Sequence, residues 1–226
     1  MGVDKTKVVG GKTRHLLRFI CNLTPLNAFM RKIEGDCKTL PQAVFVGRIV
    51  LSSQEYLVFD GEDLQSSFNL FLLPASWLGF FAFDKMVDAS ALGGPAGTMT
   101  YVSVRVVPMG WTTSVGIIQN FIRNFTYKIC NVSPSLELHG GKPVPQGDAA
   151  ITCMDGFDLL TRVQLDSKVF KLACEELDAS AVRSPVMERF VAECQVRNLP
   201  LNEGKSVIRR LNTAILGGRA MECLVF

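Results

Sequence analysis

The sequence predicts an α+β fold in which helices pack on one side of a mostly antiparallel sheet. Three observations lead to this fold class. Short segments rich in β-branched and aromatic residues recur between turn residues, which is typical of strands. Two longer segments carry apolar residues at helical spacing. An Asp-Gly pair lies between two strand-like segments, where a hairpin turn is expected.

The first half of the chain consists mainly of strand-like segments separated by turns. The expected elements are a strand over residues 14–23 that ends at a Pro25 turn, a strand over residues 45–51, a strand followed by an acidic turn and a short helix or extended run over residues 58–71, a loop over residues 91–100, and a strand over residues 101–107 that Pro108 stops.

The second half contains both predicted helices. The first follows Trp111, with Thr112 or Thr113 as its N-cap, and its apolar face carries Ser114, Val115, Ile118, Phe121, Ile122 and Phe125. A loop over residues 139–148 leads to a hairpin with Asp155-Gly156 at its apex. The second helix is expected over residues 185–197, followed by short strands around an LGG turn.

Composition limits the classes of protein to which the chain can belong. With 226 residues, 48% of them apolar and 20% charged, it can bury a sizeable core and is unlike a disordered polymer. No uninterrupted apolar stretch reaches the ~20 residues of a membrane-spanning helix, so no membrane span is expected. Seven cysteines with no pair at CxxC spacing favour a reduced protein inside a cell, in the nucleus or the cytoplasm, and disfavour a zinc site.

Charge is unevenly distributed along the sequence. Residues 1–35 hold seven basic side chains against two acidic ones, residues 48–99 hold two against six, and residues 183–226 hold seven against four. Basic flanks around an acidic middle suit a protein that holds a polyanion while it coordinates cations. Ordinary solvated faces give the same pattern, so charge alone leaves both interpretations open.

The acidic middle is concentrated in FDGEDLQSSF, where Asp60, Glu62 and Asp63 precede a strongly apolar run. Like charges at this spacing repel each other, and their burial is costly. One interpretation is an acidic loop in which Asp60 and Glu62 are solvated and Asp63 caps a short helix. The other is that Asp63 lies at the edge of a strand and binds a divalent metal ion.

Two further segments complete a constellation in chain order. PMGWTTSVGIIQ, residues 108–119, is a Pro-x-Gly-Trp turn that opens a helix, and CMDG, residues 153–156, places an Asp in a hairpin. Together with DLQSSF, this order resembles the palm of reverse transcriptases, and more narrowly the divergent reverse-transcriptase-like proteins of protist retroelements.

Three more segments are similar to parts of the same family, so the resemblance covers residues 12–218. RFICNLTPLN, residues 18–27, resembles the strand and turn of the fingers. NLPLNEGKSV, residues 198–207, is similar to the palm segment that ends in a lysine. AILGG, residues 214–218, looks like the primer-grip hairpin.

The resemblance implies a domain organisation and an activity. Residues 1–60 would form a fingers-like region and residues 61–226 a palm, with a return to the fingers around residues 78–105. The palm would hold an antiparallel sheet with helices on one face, and the thumb is expected to be absent because the sequence ends just past LGG. The implied activity is that of an RNA-directed DNA polymerase acting on an RNA or DNA template–primer with deoxynucleoside triphosphates.

The resemblance also implies a metal site. Nucleotidyl transfer to a primer 3′-hydroxyl uses two metal ions, here Mg²⁺ with Mn²⁺ as an alternative, to stabilise the attacking and leaving oxygens. Asp63 and Asp155 would bridge the ions, and the backbone carbonyl of Leu64 would add a ligand. Their carboxylates are then expected within about 5 Å of each other. From the residues alone, Asp155 is equally an ordinary hairpin residue.

Further roles follow from the resemblance by position. Each has an ordinary alternative, either a solvated charge on a strand or turn or a core aromatic residue. The implied roles are triphosphate binding by Arg18 and Lys12, contact with the incoming sugar by Phe68, contact with the templating pair by Met109 and Gly110, contact with the β- and γ-phosphates by Lys205, and primer grip by Leu216 and Gly217.

The chain departs from the family pattern at the catalytic hairpin. Reverse transcriptases generally carry an aromatic residue and two adjacent aspartates there, whereas this sequence has Cys153 and Gly156. Asp158 follows on the same expected strand face, as a partial substitute or as a surface acid. The second hypothesis is therefore a catalytically degenerate relative that acts as a nucleic-acid-binding or scaffold module. An unrelated small-molecule enzyme would need a nucleophile or cofactor motif, and we identify none.

Overall fold

The computed structural model describes residues 2–9, 12–19, 21–52, 55–164, 183–210, 214–215 and 218–219. In chain order, its strands are β1 (Gly2–Val9), β2 (Lys12–Phe19), β3 (Glu55–Asp63), β4 (Ala82–Asp88), β5 (Met99–Ser103), β6 (Ala149–Cys153), β7 (Gly156–Gln164), β8 (Val207–Arg210), β9 (Ala214–Ile215) and β10 (Gly218–Arg219). Its α-helices are α1 (Thr24–Phe29), α2 (Ala43–Val46), α3 (Ser114–Asn124) and α4 (Pro185–Val196). This arrangement confirms the α+β class.

Short helical turns connect these elements. A π-helix, Phe125–Ile129, continues directly from α3. The 3₁₀ turns are Cys37–Thr39, Ser67–Leu70, Ala75–Phe81, Ala89–Leu92, Pro134–Leu136 and Glu203–Lys205. Among the described residues, no helix is both long and apolar enough to cross a membrane.

The chain forms two compact units. One consists of Met1–Ile33 and Phe68–Ser114, and the other of Glu34–Ser67 and Val115–Phe226. The division into fingers and palm between residues 60 and 61 stays a prediction.

The first unit contains two antiparallel strand pairs and a small aromatic core. Strand β1 pairs with β2, and β4 pairs with β5. The Trp111 side chain is buried, and its ring meets the rings of Trp77 and Phe81 edge to face, at centroid distances of 5.8 and 5.4 Å. Edge-to-face contacts of this kind add to the stability from burial alone, so Trp111 anchors the turn that precedes α3.

The second unit is built on a four-stranded antiparallel sheet of order β6-β7-β3-β8. One face packs on Phe45, Val46, Ile49, Leu51 and Val144 through the buried side chains of Leu57, Phe59, Leu138, Ala149, Ile151 and Leu160. On the other face, Phe190 of α4 contacts Phe157 of β7 and Phe125 of the π-helix. The sheet is therefore covered on both faces, and its edges and ends remain for function.

Both predicted helices are confirmed, and the start of α4 follows from capping. Helix α4 begins after Ser184, whose hydroxyl accepts a hydrogen bond from the Met187 N–H at 3.2 Å. Pro185 at the first helical position has no N–H that needs a partner. Helix α3 begins at Ser114, one or two residues after the predicted caps, and the Ser114 hydroxyl donates to the Trp111 carbonyl at 2.6 Å.

Several local predictions are wrong. Pro25, predicted in a turn, lies in the first turn of helix α1. Residues 45–51, predicted as a strand, contain the end of α2 and a series of turns, in which the Arg48 and Ile49 N–H groups bond back three residues. Their apolar side chains cover the sheet without joining it, so burial rather than β pairing explains the pattern. The β6–β7 turn consists of Met154 and Asp155, since Cys153 pairs with Gly156, so the apex lies one residue earlier than predicted.

Candidate cation site at the end of the central strand

Two acidic residues that are far apart in sequence become neighbours at the end of β3. Asp63 is the last residue of this strand and pairs with Gly156, the first residue of β7. The next N–H, that of Leu64, donates to the carbonyl of Asp155 in the β6–β7 turn. Because the hairpin is fixed to β3 by the sheet register, both acids lie at the same end of the sheet.

Asp158 adds a third acid to this end. It lies on β7 directly opposite Gly61, on the same face of the sheet as the Asp63–Gly156 pair. The missing side chain at Gly61 makes room for it, since a Cβ there would lie 2.5 Å from Asp158 Oδ1. Burial, followed by the charges of Asp63 and Asp155, raises the pKa of Asp158 to about 7. We call Asp63, Asp155 and Asp158 the carboxylate cluster.

Two residues of the segment that precedes β8, Asn202 and Lys205, contact Asp63 of the cluster. The Lys205 ammonium lies 2.8 Å from Asp63 Oδ2, and the Asn202 amide lies 3.4 Å from the same oxygen. Burial raises the pKa of Asp63, and the charge of Asp155 raises it further, while the hydrogen bond from Lys205 opposes both. Asp63 therefore does not cap a helix, and that alternative is wrong.

The two acids just before Asp63 have a different environment. Asp60 and Glu62 were expected to be solvated, but their residues are 0% and 3% exposed. They alternate with Gly61 and Asp63 along β3, so they face the helix-covered side of the sheet. Glu62 accepts hydrogen bonds from Arg183 at 2.6 and 2.9 Å and from the Ser206 hydroxyl at 2.8 Å. This ion pair stabilises the strand that carries Asp63.

The two departures at the hairpin have structural consequences. A Cβ at Gly156 would lie 2.5 Å from the backbone carbonyl oxygen of Glu62, so this register leaves no room for a second aspartate. Cys153 at the end of β6 is half-buried, and burial, followed by the charge of Asp155, raises its thiol pKa to about 11. The thiol is therefore protonated near neutral pH and is a poor nucleophile.

The chemistry of the cluster fits a hard divalent cation. Carboxylate oxygens are the donors that Mg²⁺ prefers, and Mg²⁺ is usually bound by one or two carboxylates together with substrate phosphates. Burial, together with the charges of the neighbouring acids, raises the pKa values of Asp63 and Asp158, and a bound cation would favour their ionised forms. Within the described ranges, no three His, Cys, Asp or Glu side chains already converge on one ion position.

The Pro-x-Gly-Trp turn lies in the other compact unit and is held by Asn27. The Asn27 amide donates to the Gly110 carbonyl at 2.8 Å, and its oxygen accepts from the Thr112 N–H at 3.1 Å. Gly110 has a φ of +96°, which favours glycine. Met109 beside it is half-buried. The turn is therefore shaped by backbone geometry, and its contact with a templating pair stays a prediction.

The remaining predicted residues belong to other elements of the chain. Arg18 and Lys12 lie on β2, opposite Val3 and Val9 of β1. Phe68 is half-buried within the 3₁₀ turn Ser67–Leu70. Leu216 and Gly217 lie outside the described residues, so their role in a primer grip stays a prediction.

Two residues that support the site, Arg183 and Asn202, have no predicted role. Arg183, which binds the buried Glu62, is 121 positions away from it in the chain. Asn202 lies three residues before Lys205, and both its side chain and its N–H bind Asp63. No local pattern identifies such a partner for Glu62, whereas Asn202 lies within the lysine-containing segment that the resemblance had already selected.

Comparisons with known proteins give a fold but no family. No family model matches the sequence, and no curated protein matches it. Among solved structures, the chain is similar to a foamy virus protease–reverse transcriptase in complex with double-stranded DNA, with a TM-score of 0.53 and 14% sequence identity. The match covers 98% of this chain and 29% of the viral chain. At this identity the likeness shows a reverse-transcriptase-like fold alone.

Proposed function

We propose that the chain is a fingers–palm part of a retroelement RNA-directed DNA polymerase, which transfers a nucleotide to a primer 3′-hydroxyl. The observation that carries this proposal is the meeting of Asp63 and Asp155 at one end of an antiparallel sheet. The reverse-transcriptase-like fold supports the same conclusion, and the structural neighbour was observed with double-stranded DNA.

In this proposal, Asp63, Asp155 and the Leu64 carbonyl hold two Mg²⁺ ions, for which Mn²⁺ can substitute. When bound, the metal stabilises the oxygens that attack and leave the α-phosphate. Asp158 is the third acid of the cluster, and it partly substitutes for the second aspartate that reverse transcriptases generally carry at this hairpin. The carboxylates hold the cations in place, and the sheet register fixes the carboxylates.

The nucleotide-binding part of the proposal rests on the roles that the resemblance implies for single residues. Arg18, Lys12 and Lys205 bind the triphosphate, because guanidinium and ammonium groups donate to phosphate oxygens. Phe68 packs beneath the sugar and selects deoxynucleotides. Met109 and Gly110 approach the templating base pair. The partners are an RNA or DNA template–primer and deoxynucleoside triphosphates.

A primer-extension assay tests this function. The protein is assayed on a primed template with Mg²⁺ and then with Mn²⁺, beside Asp63→Asn and Asp155→Asn. Both variants are expected to lose at least 100-fold in rate, on the order of the loss when a group that stabilises transition-state charge is removed. Asp84→Asn, at an exposed acid on β4, is the matched control and should extend normally. Extension that survives both site variants would falsify the assignment.

A specific observation favours the second candidate, a catalytically degenerate module that binds nucleic acid. The Gly156 position leaves no room for a second aspartate in the observed register, so the hairpin is built for one acid. This function predicts no extension with either metal, together with binding of a primed template. Such binding should weaken steeply between 50 and 200 mM salt, because contacts with phosphates release counterions.

A further inference from the structure

One oxygen of the cation site is already bound by a cation from the chain itself. The Lys205 ammonium is 2.8 Å from Asp63 Oδ2, a normal distance for a charge-assisted hydrogen bond. The Asp63 side chain is 19% exposed and that of Lys205 is 56% exposed. The acid is therefore held within the sheet, while the lysine reaches it from solvent.

Backbone bonds hold the lysine close to the acid. The Gln65 N–H donates to the Pro200 carbonyl, and the Asn202 N–H donates to the Asp63 carbonyl, both at 2.7 Å. The Lys205 N–H then donates to the Asn202 carbonyl at 2.8 Å. These bonds do not involve the ammonium group. The lysine side chain can therefore leave Asp63 while its backbone stays anchored to the end of β3.

Other acids lie close to this ion pair. The Lys205 ammonium pairs with Asp63, and Asp155 and Asp158 lie at the same end of the sheet. A cation bound there would therefore be attracted by more than one carboxyl group. A divalent ion carries twice the charge and attracts carboxylates more strongly at the same distance.

We propose that Lys205 is the resident counter-ion of Asp63, and that a divalent cation displaces its ammonium from Oδ2 when it binds. This inference rests on the proposed cation site and adds a competition to it. The displaced ammonium stays tethered beside the site, where it can bind a phosphate of an incoming nucleotide. Occupation of the metal site is thereby linked to release of a phosphate-binding group.

Direct binding of Mn²⁺, measured from the electron paramagnetic resonance signal of the free ion, tests the competition without any need for polymerase activity. The relevant site is the one that Asp63→Asn removes. Lys205→Gln removes the competing ammonium and is expected to tighten Mn²⁺ binding at that site about two- to fivefold, as the modest strength of a half-exposed ion pair allows. Lys205→Arg keeps the charge and should bind no more tightly than the unchanged protein.

Lys38→Gln is the matched control. Lys38 is 86% exposed and pairs with Glu34 at 3.4 Å, so this change also removes one charge and one ion pair of the same unit. Its Mn²⁺ affinity should be unchanged. If Lys205→Gln binds Mn²⁺ equally or more weakly than the unchanged protein, the competition is wrong while the site stands. If no variant binds Mn²⁺ at a site sensitive to Asp63, the cation site itself is wrong.

Discussion

At the scale of single residues, glycines on facing strands decide where the acids of the cluster lie. Gly61 faces Asp158, and Gly156 faces Asp63. A Cβ at Gly61 would lie 2.5 Å from a side-chain oxygen of Asp158, whereas a Cβ at Gly156 would meet the backbone oxygen of Glu62 at 2.5 Å. The first contact can be relieved if a side chain moves, but the second requires a shift of β3 itself.

The contact at Gly61 predicts the effect of Gly61→Ala. The added methyl should displace the Asp158 carboxylate and lower the free energy of unfolding by about 1–3 kcal/mol, as overpacking does. Urea denaturation measures this loss. Gly147→Ala is the control, because a Cβ at Gly147 has open space around it. Asp158→Ala should recover much of the loss in the Gly61→Ala background, and additive effects of the two changes would contradict the contact.

The contact at Gly156 leads to a second prediction, about introducing the paired aspartates that reverse transcriptases generally carry. Gly156→Asp should destabilise the protein by about 1–3 kcal/mol, because the new side chain meets backbone that the sheet holds in place. It should also fail to increase primer extension. Gly147→Asp, with the same added charge in open space, should leave the urea midpoint nearly unchanged. A stable Gly156→Asp protein that extends primers faster would mean that the register is different.

At the scale of elements, a buried ionic network joins α3 to the chain before β6. Arg123 of α3 donates to both oxygens of Glu137, at 2.5 and 2.8 Å, and to Asp36 at 2.9 Å. Lys142 also contacts Glu137 at 3.0 Å. The Glu137 side chain is only 1% exposed, so its charge depends on these partners.

Removal of Arg123 should therefore be far more costly than removal of an exposed arginine. Arg123→Met leaves Glu137 with a weaker set of partners, and we expect a loss of about 3 kcal/mol in the free energy of unfolding. Arg197→Met is the matched control, because Arg197 pairs with Glu193 one helical turn away on the surface of α4, and it should cost less than about 1 kcal/mol. Equal urea midpoints for the two variants would refute a structural role for the network.

At the scale of the whole molecule, the sequence predicted which helices form better than it predicted which faces of the strands are buried. The helices α3 and α4 follow from apolar spacing, and α4 also from its cap, which are local properties. The burial of Asp60 and Glu62 does not, because it depends on which face of β3 the helices cover and on Arg183, a distant partner. Local composition made these acids look like a solvated loop, and tertiary pairing decided otherwise.

The same difference between local patterns and long-range contacts holds for the candidate site. Periodicity and spacing give no reason to pair Asp63 with Asp155, and only the order of motifs suggested it. The structure makes them neighbours through the β3–β7 register, which is a long-range property that a local pattern cannot encode. The ion pair of Lys205 with Asp63 is equally long-range, so the sequence could select the lysine but could not identify its partner.

Two buried acids with opposite pKa shifts predict how stability depends on pH. Hydrogen bonds from Arg123 and Lys142 outweigh burial and lower the pKa of Glu137 below its ordinary 4.5, so its contribution is present above that pH and is lost as the pH falls further. The pKa of Asp158 is shifted in the opposite direction. Burial and its acidic neighbours raise its pKa from 3.8 to about 7, so stability falls as the pH rises through this window.

Without divalent ions, the protein should therefore be more stable at pH 5 than at pH 8. Asp158→Asn removes a carboxyl that loses its proton in this range. The free energy of unfolding should therefore fall less between pH 5 and pH 8. Some of the fall should remain, because Asp63, Asp155 and Lys205 still surround that position. Glu137→Gln should instead flatten the decline below pH 4.5. Urea denaturation in a chelator, repeated across this range, measures both limbs. If the free energy of unfolding of Asp158→Asn falls between pH 5 and pH 8 as much as that of the unchanged protein, the ionisation of Asp158 is not the cause of this fall.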